Sequence, residues 1–186
     1  MITVYIKKIE SIDKKTETEI ISSLSQSALA RYNKKKNDAL RLSSLTALSM
    51  LTNEQLKDLY YTESGIPNFK TINENISISH SKIYCAVAIS DFSVGIDVED
   101  TTREESSTNL VRFFTENEKK QIEEETSQIE IWTKKEALFK YLKNDNINFI
   151  SLDTTQANAH FETINLNGAI LTICCEKREA IKIQKL

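Results

Sequence analysis

Residues 95–99 read Gly-Ile-Asp-Val-Glu, and this short stretch is the most informative part of the chain for its fold. Its apolar, β-branched surroundings predict a strand, in which successive side chains point to opposite faces. Ile96 and Val98 should therefore point into the core, while Asp97 and Glu99 share the other face. Two carboxylates placed in this way are candidate metal ligands.

A second stretch, residues 132–140, reads Trp-Thr-Lys-Lys-Glu-Ala-Leu-Phe-Lys and predicts an amphipathic helix. Glu136 and Lys140 stand four residues apart and so share one face of that helix. If the helix crosses the end of the strand, Glu136 meets Asp97 and Glu99, with the lysine beside them. Hard oxygen ligands in that number suit Mg²⁺, which keeps several waters and binds substrate phosphates. The spacing therefore predicts phosphate chemistry.

Taken alone, these residues also have ordinary explanations. Asp97 and Glu99 are typical of solvent-facing residues at a strand end, and Glu136 is typical of a Glu–Lys helix pair. Such a pair contributes only about 0.3–0.5 kcal/mol. A single histidine such as His80 usually makes structural hydrogen bonds. Spacing alone therefore does not name the reaction.

The pattern of apolar residues predicts strands and helices in alternating groups. A strand over residues 1–8 precedes helices over 16–30 and 37–59, the second with Asn37 and Asp38 as candidate caps. After a turn at 64–67, short strands follow at 76–80, 84–89 and 94–98. Helices are then predicted over 115–125, opened by a capping box, and 127–143, and strands over 161–164, 169–175 and 180–183. We expect an α+β fold of two similar α/β halves, residues 1–91 and 92–186.

Composition limits the class of protein. With 40% hydrophobic and 27% charged residues, the chain is typical of a globular protein, and it has no apolar run long enough to span a bilayer. Its first residues lack the basic start and apolar core of a signal peptide. Three cysteines without a Cys-Xaa-Xaa-Cys pair predict reduced thiols, and two histidines make a zinc site unexpected. We therefore expect a cytoplasmic protein.

The net charge of −3 conceals an asymmetry along the chain. Residues 7–41 contain nine basic and five acidic side chains, whereas residues 99–130 contain ten acidic and four basic ones. A basic patch suits a polyanion such as a nucleotide phosphate, an acidic protein or a nucleic acid. For Lys34, Lys35 and Lys36, solvated helix surface is the simpler explanation.

Five segments, in order, resemble the Sfp-type 4'-phosphopantetheinyl transferases, and the likeness runs from about Arg31 to Lys140. The segments are 65–67 (Gly-Ile-Pro, where the family has Gly-Lys-Pro), 76–81 (Ile-Ser-Ile-Ser-His-Ser, for Asn-Xaa-Ser-His-Ser), 94–99 (Val-Gly-Ile-Asp-Val-Glu, for Gly-Ile-Asp-Xaa-Glu), 112–118 (Arg-Phe-Phe-Thr-Glu-Asn-Glu, for Arg-Phe-Phe-Ser-Xaa-Xaa-Glu) and 132–140 (for Trp-Xaa-Xaa-Lys-Glu-Ala-Xaa-Xaa-Lys). One such segment is weak evidence, but five in order and plausibly spaced are strong.

The resemblance implies a pseudo-dimer with coenzyme A, the co-substrate, between its halves. Residues 1–91 would bind coenzyme A, and residues 92–186 would carry the carboxylates that hold Mg²⁺, with Mn²⁺ as the alternative. The implied reaction transfers 4'-phosphopantetheine to a serine of an apo acyl or peptidyl carrier protein and releases 3',5'-ADP. No nucleic acid or membrane partner is expected, and a monomer suffices because two halves are fused.

The resemblance also assigns residues. The implied metal ligands are Asp97, Glu99 and Glu136, and the implied catalytic residues are Glu136, Lys140 and Asp97. The implied coenzyme A contacts are Arg31, Lys36, Arg41, Gly65, Pro67, Ser79, His80 and Lys140. Arg112 and Glu118 match a motif with a structural role, and we leave them out of the site.

Several positions depart from the family pattern. Ile66 replaces a lysine, Met50 stands where an arginine is usual, and Lys82 stands where a glycine is usual. The glycine-rich stretch after Lys140 is missing, since residues 141–145 read Tyr-Leu-Lys-Asn-Asp. These changes bear on coenzyme A affinity and carrier choice rather than on the class of reaction.

Two other functions fit the same residues. The carboxylates would also serve another Mg²⁺-dependent enzyme that cleaves phosphates, such as a nuclease or pyrophosphatase. A catalytically weak paralogue that binds a carrier or nucleotide is the second, with Ile66 and Met50 as its support. The pathway, whether fatty acid, polyketide or nonribosomal peptide synthesis, is not predicted.

Overall fold

A computed structural model describes residues 1–102, 110–123, 127–144 and 146–186. Its strands are β1 (Ile2–Lys8), β2 (Leu59–Tyr61), β3 (Pro67–Phe69), β4 (Asn75–His80), β5 (Tyr84–Ser90), β6 (Val94–Asp100), β7 (His160–Leu166), β8 (Ala169–Cys175) and β9 (Ile181–Lys185). Its helices are α1 (Lys14–Ser23), α2 (Gln26–Asn33), α3 (Asp38–Leu48), α4 (Asn53–Asp58), α5 (Glu116–Glu123) and α6 (Gln128–Leu142). The predicted α+β class is confirmed.

Two sheets form the centre of the fold. One has the strand order β4-β5-β1-β9, and the other has the order β6-β8-β7. Apolar residues of both sheets share one core cluster, in which Val4 of β1 and Ile96 of β6 have no exposed surface. Helices α1 to α4 cover the outer side of the first sheet, and α6 covers that of the second. The predicted inward direction of Ile96 and Val98 is confirmed.

The two sheets repeat one topology. In the first, β1 and β4 both pair antiparallel with β5; in the second, β6 and β7 both pair antiparallel with β8. In each of these groups of three strands, the helices lie between the first and the second strand in chain order. Strand β9 pairs in parallel with β1, so the end of the chain lies in the sheet of residues 1–91. The division into domains near residue 91 stays a prediction.

The sheets meet at the edge strands β4 and β6. Two serine hydroxyls of β4 accept hydrogen bonds from the backbone of β6: Ser77 Oγ from the Ile96 N–H at 3.0 Å and Ser79 Oγ from the Val98 N–H at 3.3 Å. A buried backbone N–H without a partner is costly, so these hydroxyls complete the outer edge of β6. We call this contact the β4–β6 junction.

The prediction of one continuous helix over residues 16–30 is wrong. The chain forms α1 and α2, separated at Leu24 and Ser25. Ser25 is the N-cap of α2, because its Oγ accepts a hydrogen bond from the Ala28 N–H, and it also donates to the Leu59 carbonyl. Serine favours such local bonds over a helix interior, which explains the break.

The helix predicted over residues 37–59 is also two helices. Asn37 caps α3 as predicted, through a 2.9 Å bond from the Leu40 N–H to its Oδ1. Helix α4 begins at a capping box in which Thr52 and Gln55 exchange side-chain and backbone hydrogen bonds. Leu59 then enters β2, which pairs with β3. The short strands β2 and β3 were not predicted, because three residues are too few to show a period.

The second helical region was predicted more closely. The capping box is confirmed, since the Thr115 N–H donates to Glu118 Oε2 and the Glu118 N–H donates to Thr115 Oγ1. Helix α6 begins after Ser127, which caps it, and ends at Leu142, close to the predicted bounds. The predicted end of α5 near residue 125 and part of the acidic segment, residues 103–109 and 124–126, lie outside the described residues.

A buried ion pair connects α5 to α6. Lys135 Nζ lies 2.8 Å from Glu118 Oε2, and both side chains are fully buried. The other Glu118 oxygen accepts hydrogen bonds from the N–H and Oγ1 of Thr154, and Lys135 also donates to the Leu152 carbonyl. A buried pair is tolerated when its remaining hydrogen-bonding groups are satisfied in this way. Glu118 therefore acts in the fold, as the sequence predicted.

Gly95 allows α6 to lie directly on β6. A Cβ added at Gly95 would stand 1.9 Å from the Ala137 carbonyl oxygen and 2.5 Å from the Tyr141 nitrogen. Both atoms belong to the helix backbone, which cannot move aside as a side chain can. Gly95 thus sets the distance at which helical side chains reach the strand.

Two smaller observations bear on the sequence predictions. Among the described residues, no helix is long and apolar enough to cross a membrane. The three cysteines are free and buried, and burial raises the pKa of the Cys85 thiol to about 12. The thiols are therefore protonated and unreactive at neutral pH.

Candidate functional site

Three predicted site residues form one hydrogen-bonded network at the β4–β6 junction. Ser79 Oγ donates to Asp97 Oδ1 at 2.7 Å, and Lys140 Nζ donates to the same carboxylate oxygen at 2.6 Å. Lys140 Nζ also lies 3.1 Å from Ser79 Oγ. Ser79 comes from β4, Asp97 from β6 and Lys140 from α6. The network therefore draws on both sheets and on the helix that covers the second.

The row of α6 residues spaced four apart runs across the acidic face of β6. Lys140 meets Asp97 at one end, and Trp132 Nε1 donates to Glu99 Oε1 at 3.1 Å at the other. Glu136 stands midway between Trp132 and Lys140 on this row. The helix therefore crosses the strand as predicted, and Glu136 lies in its sequence between the residue that contacts Glu99 and the residue that contacts Asp97.

The donor set fits a hard divalent cation in its chemistry. Among the described residues, buried Asp97 Oδ2 finds no hydrogen-bond partner, although Oδ1 of the same carboxylate has two. A buried carboxylate oxygen left open beside Glu99 is a suitable first ligand for Mg²⁺. Across the described residues, however, no three histidine, cysteine, aspartate or glutamate side chains are gathered closely enough to hold a metal. The convergence of all three carboxylates stays a prediction.

A recess of about 350 Å³, which we call the α6 recess, opens beside the network. Glu136 and Lys140 line it from α6, Gly65 lines it from the loop that joins β2 to β3, and Pro67 lines it from the start of β3. Arg31 lines it as well and contributes a guanidinium group. The structure thus brings Gly65, Pro67 and Arg31 to the side of the catalytic candidates.

A second recess of about 160 Å³, the α2 recess, shares Arg31, Gly65 and Pro67 with the first. Its other basic side chains are Lys35 and His80, and its apolar walls include Tyr61 and Leu48. The Arg31 guanidinium lies over the Tyr61 ring, 4.8 Å from its centre. The two recesses form a cleft with cations along its length and apolar surface at one end, which suits a nucleotide.

At Gly65 the backbone of the cleft lies close to the side chain of Arg31. The φ of Gly65, +91°, is unfavourable for a side-chain-bearing residue, and a Cβ would lie 2.6 Å from an Arg31 guanidinium nitrogen. The turn is closed by a 3.0 Å bond from the Gly65 N–H to the Thr62 carbonyl. A glycine here therefore leaves room for Arg31 to face both recesses.

His80 lies at the point where the α2 recess meets a third, about 700 Å³ in volume. This third recess is also lined by Glu99 and Asp100. Partial burial and the positive charges of Lys35 and Lys140 lower the pKa of His80 below its usual value. The imidazole is therefore mainly neutral at pH 7, and an anion beside it would favour its protonation.

Two predicted coenzyme A contacts lie elsewhere. Arg41 is exposed, lies 3.9 Å from the Asp38 carboxylate and lines a separate recess with Glu17. Lys36 is exposed and lines none of the recesses described above. The structure thus does not bring these two residues to the cleft.

Two lysines in the cleft were missed. Lys35 lies two residues beyond the end of α2, so helical periodicity did not distinguish it from its neighbours. Lys143 lines the α6 recess three residues after Lys140. No pattern in the sequence distinguished it, because it lies just beyond the helix end.

Comparison with known proteins bears on the second half of the chain. The family model of the 4'-phosphopantetheinyl transferase superfamily matches residues 93–183. No curated protein shows significant similarity to the chain. The matched region contains Asp97, Glu99, Glu136 and Lys140, and it begins just before β6. Residues 93–183 are therefore similar to a 4'-phosphopantetheinyl transferase superfamily domain.

Proposed function

We propose that the protein is an Sfp-type transferase that moves 4'-phosphopantetheine from coenzyme A to a serine of an apo carrier protein. The observation that supports this most is the network of Ser79, Asp97 and Lys140, which lies at the end of a cationic cleft. A diphosphate with a nucleoside attached needs both features, a polar centre for the reacting phosphate and a cleft beside it.

The cleft supplies groups for the rest of coenzyme A. Arg31 and Lys35 provide fixed positive charge for phosphate oxygens, and arginine binds phosphate in a bidentate manner. Tyr61 and Leu48 provide apolar surface for the base. His80, neutral in the free protein, gains a proton as the phosphates approach. Binding of the nucleotide is thus assigned to the first half of the chain.

Asp97 through its open Oδ2, Glu99 and Glu136 would hold Mg²⁺, with Mn²⁺ as the alternative. When bound, the ion offsets negative charge on the diphosphate oxygens. The lysine beside Asp97 has three N–H donors, so it can keep its bond to the carboxylate and donate to the diphosphate as well.

The reaction is a displacement at phosphorus. The serine oxygen of the carrier forms a bond to the β-phosphorus of coenzyme A, and the bond from that phosphorus to the oxygen of 3',5'-ADP breaks. Glu136, directly or through a water, accepts the proton of the serine hydroxyl. Lys140 stabilises the negative charge that grows on the leaving 3',5'-ADP. The serine belongs to the carrier, so this chain needs no nucleophile of its own.

The partner in this proposal is an apo acyl or peptidyl carrier protein, met by a monomer in the cytoplasm. Such carriers are acidic around the modified serine, and the basic excess of residues 7–41 would favour the encounter. The carriers that react would place the enzyme in fatty acid, polyketide or nonribosomal peptide synthesis.

The test is the intact mass of several apo carrier proteins after incubation with the protein, coenzyme A and Mg²⁺. We expect one carrier to gain the mass of one phosphopantetheinyl group, and we expect chelation or Glu136→Gln to abolish the gain. Glu130→Gln is the matched control, because Glu130 lies on the same helix and pairs with Lys134.

Each other result has a definite meaning. Binding of coenzyme A without modification of any carrier would support a catalytically weak paralogue instead. Hydrolysis of coenzyme A without a carrier would support a phosphate-cleaving enzyme. A gain of mass that Glu136→Gln leaves unchanged would contradict the assigned proton acceptor.

A further inference from the structure

Lys143 has an unusual backbone conformation. It is the C-cap of α6, with φ 47° and ψ 35°, and within the described residues it is the one non-glycine residue with positive φ. A left-handed conformation costs a residue with a Cβ conformational free energy, and glycine is the usual choice at a helix end. Such strain persists where the surroundings fix it, and it is frequent at ligand sites.

The Lys143 amine is held in place by neutral groups. Its Nζ donates to Asn75 Oδ1 at 2.9 Å and lies 3.4 Å from Asn68 Oδ1. In the described part of the chain both partners are therefore amide oxygens, which orient the ammonium group without neutralising it. Burial lowers the pKa of Lys143 from its usual value, as expected for a cation drawn from water without a paired anion.

Lys143 lines the α6 recess together with two other cationic residues. Arg31 and Lys140 line the same recess, and Glu136 is its one acidic lining residue among those described. The Lys140 amine bonds to Ser79 and Asp97, whereas the Lys143 amine bonds to Asn75, which stands four residues before Ser79 on β4. Strand geometry separates the two β4 positions by about 13 Å, so the two amines reach the recess at different points and suit the two ends of a diphosphate.

We infer that Lys143 is a substrate-positioning residue that binds the diphosphate of coenzyme A together with Lys140. This inference rests on the proposed function and adds to it a residue that no pattern in the sequence identified. Lys140 holds the diphosphate at the reacting centre, and Lys143 fixes its orientation from the far side of the recess.

The experiment is calorimetric titration of the full-length protein with coenzyme A and with its 3'-dephospho form. Lys143→Gly should keep its fold, because glycine adopts the left-handed conformation without strain. We expect its Kd to rise about tenfold for both ligands, since both carry the diphosphate and one charge-assisted bond is lost. Lys143→Arg should recover most of the affinity. Lys177→Met is the control, because Lys177 is exposed and lies outside the cleft.

Each outcome decides between explanations. A rise in Kd for coenzyme A alone would show that Lys143 binds the 3'-phosphate and would overturn the diphosphate assignment. An unchanged Kd in a folded Lys143→Gly variant would overturn the inference while leaving the proposed function intact. Failure of the wild-type protein to bind either ligand would instead overturn the proposed function and this inference with it.

Discussion

The two halves of the molecule share a strand topology and differ in the side chains that face their helices. Strands β1 and β6 each pair seven residues with the third strand of their half, and the registers correspond end to end. Tyr5 therefore occupies the position of Asp97, and Lys7 that of Glu99. Tyr5 packs against the apolar core under the helices, and Lys7 donates to Ser49 Oγ at 3.1 Å.

This difference shows how the same strand topology can carry side chains with two different roles. The first half presents apolar and basic groups at its helix-facing surface and contributes Arg31, Lys35 and His80 to the cleft. The second half presents carboxylates and a lysine at the equivalent surface. The network at the β4–β6 junction exists only because the edges of the two sheets meet.

The largest effect that we expect concerns the Lys135–Glu118 pair, which supports α6 beside the second sheet. Lys135→Met leaves a fully buried carboxylate without its cation, and it should lower the free energy of unfolding by about 3–5 kcal/mol. Urea unfolding measures this value. The neighbouring Lys134→Met removes a more exposed helix pair and should cost about 0–1 kcal/mol. Equal losses would show that the buried pair is not a special support of α6.

The next effect tests the close contact of helix and strand. Gly95→Ala places a methyl group against the backbone of α6 and should lower the free energy of unfolding by about 1–3 kcal/mol or more. Thr3 occupies the equivalent position of β1, and Thr3→Ala should cost less than about 1 kcal/mol. A small loss for Gly95→Ala would mean that α6 can move away from β6, and the distances in the network would then not be fixed by packing.

A third comparison separates the role of the β4–β6 junction in stability from its role in the proposed reaction. Ser77 and Ser79 both accept a bond from the β6 backbone, so each alanine variant should lower the free energy of unfolding by about 1 kcal/mol. Only Ser79 also bonds to Asp97. Ser79→Ala should therefore lower kcat/KM for carrier modification about tenfold, and Ser77→Ala should leave it nearly unchanged. Similar losses of activity in both variants would make the junction a structural feature alone.

The smallest effect concerns the titration of His80. NMR should give a pKa below the usual 6.5, because partial burial, Lys35 and Lys140 disfavour the charged ring. Between the folded pKa and 6.5 the unfolded chain binds more protons, so this group makes the protein less stable as the pH falls through that interval. Coenzyme A should raise the pKa, since its phosphates offset the two lysines. A pKa that coenzyme A leaves unchanged would place the phosphates away from His80.

Much of the fold could be predicted because period-2 and period-3.6 patterns are strong in the long elements. Strand β8 matches its predicted bounds, and α6 differs by one residue at each end. The breaks at Ser25 and Thr52 were missed because a capping serine or threonine inside an apolar pattern resembles a helix interior until its hydrogen bonds are known.

The candidate site could be predicted where residues lie on regular elements. The strand and helix periods predicted Lys140 beside Asp97, which the structure shows, whereas the bond of Trp132 to Glu99 was not predicted. The contacts of Lys35 and Lys143 depend on how helix ends pack against loops, which local periodicity does not describe. Lys36 and Arg41 were chosen by resemblance, and the structure leaves them outside the cleft.

The central claim is that both halves build one coenzyme A site at the β4–β6 junction. A double-mutant cycle between Ser79→Ala and Lys140→Met, with the Kd of coenzyme A as its readout, tests it most directly. Because the two residues contact each other and share Asp97, we expect a coupling energy of at least about 1 kcal/mol. Effects that add to within about 0.5 kcal/mol would contradict the claim, since the two residues would then act on coenzyme A independently.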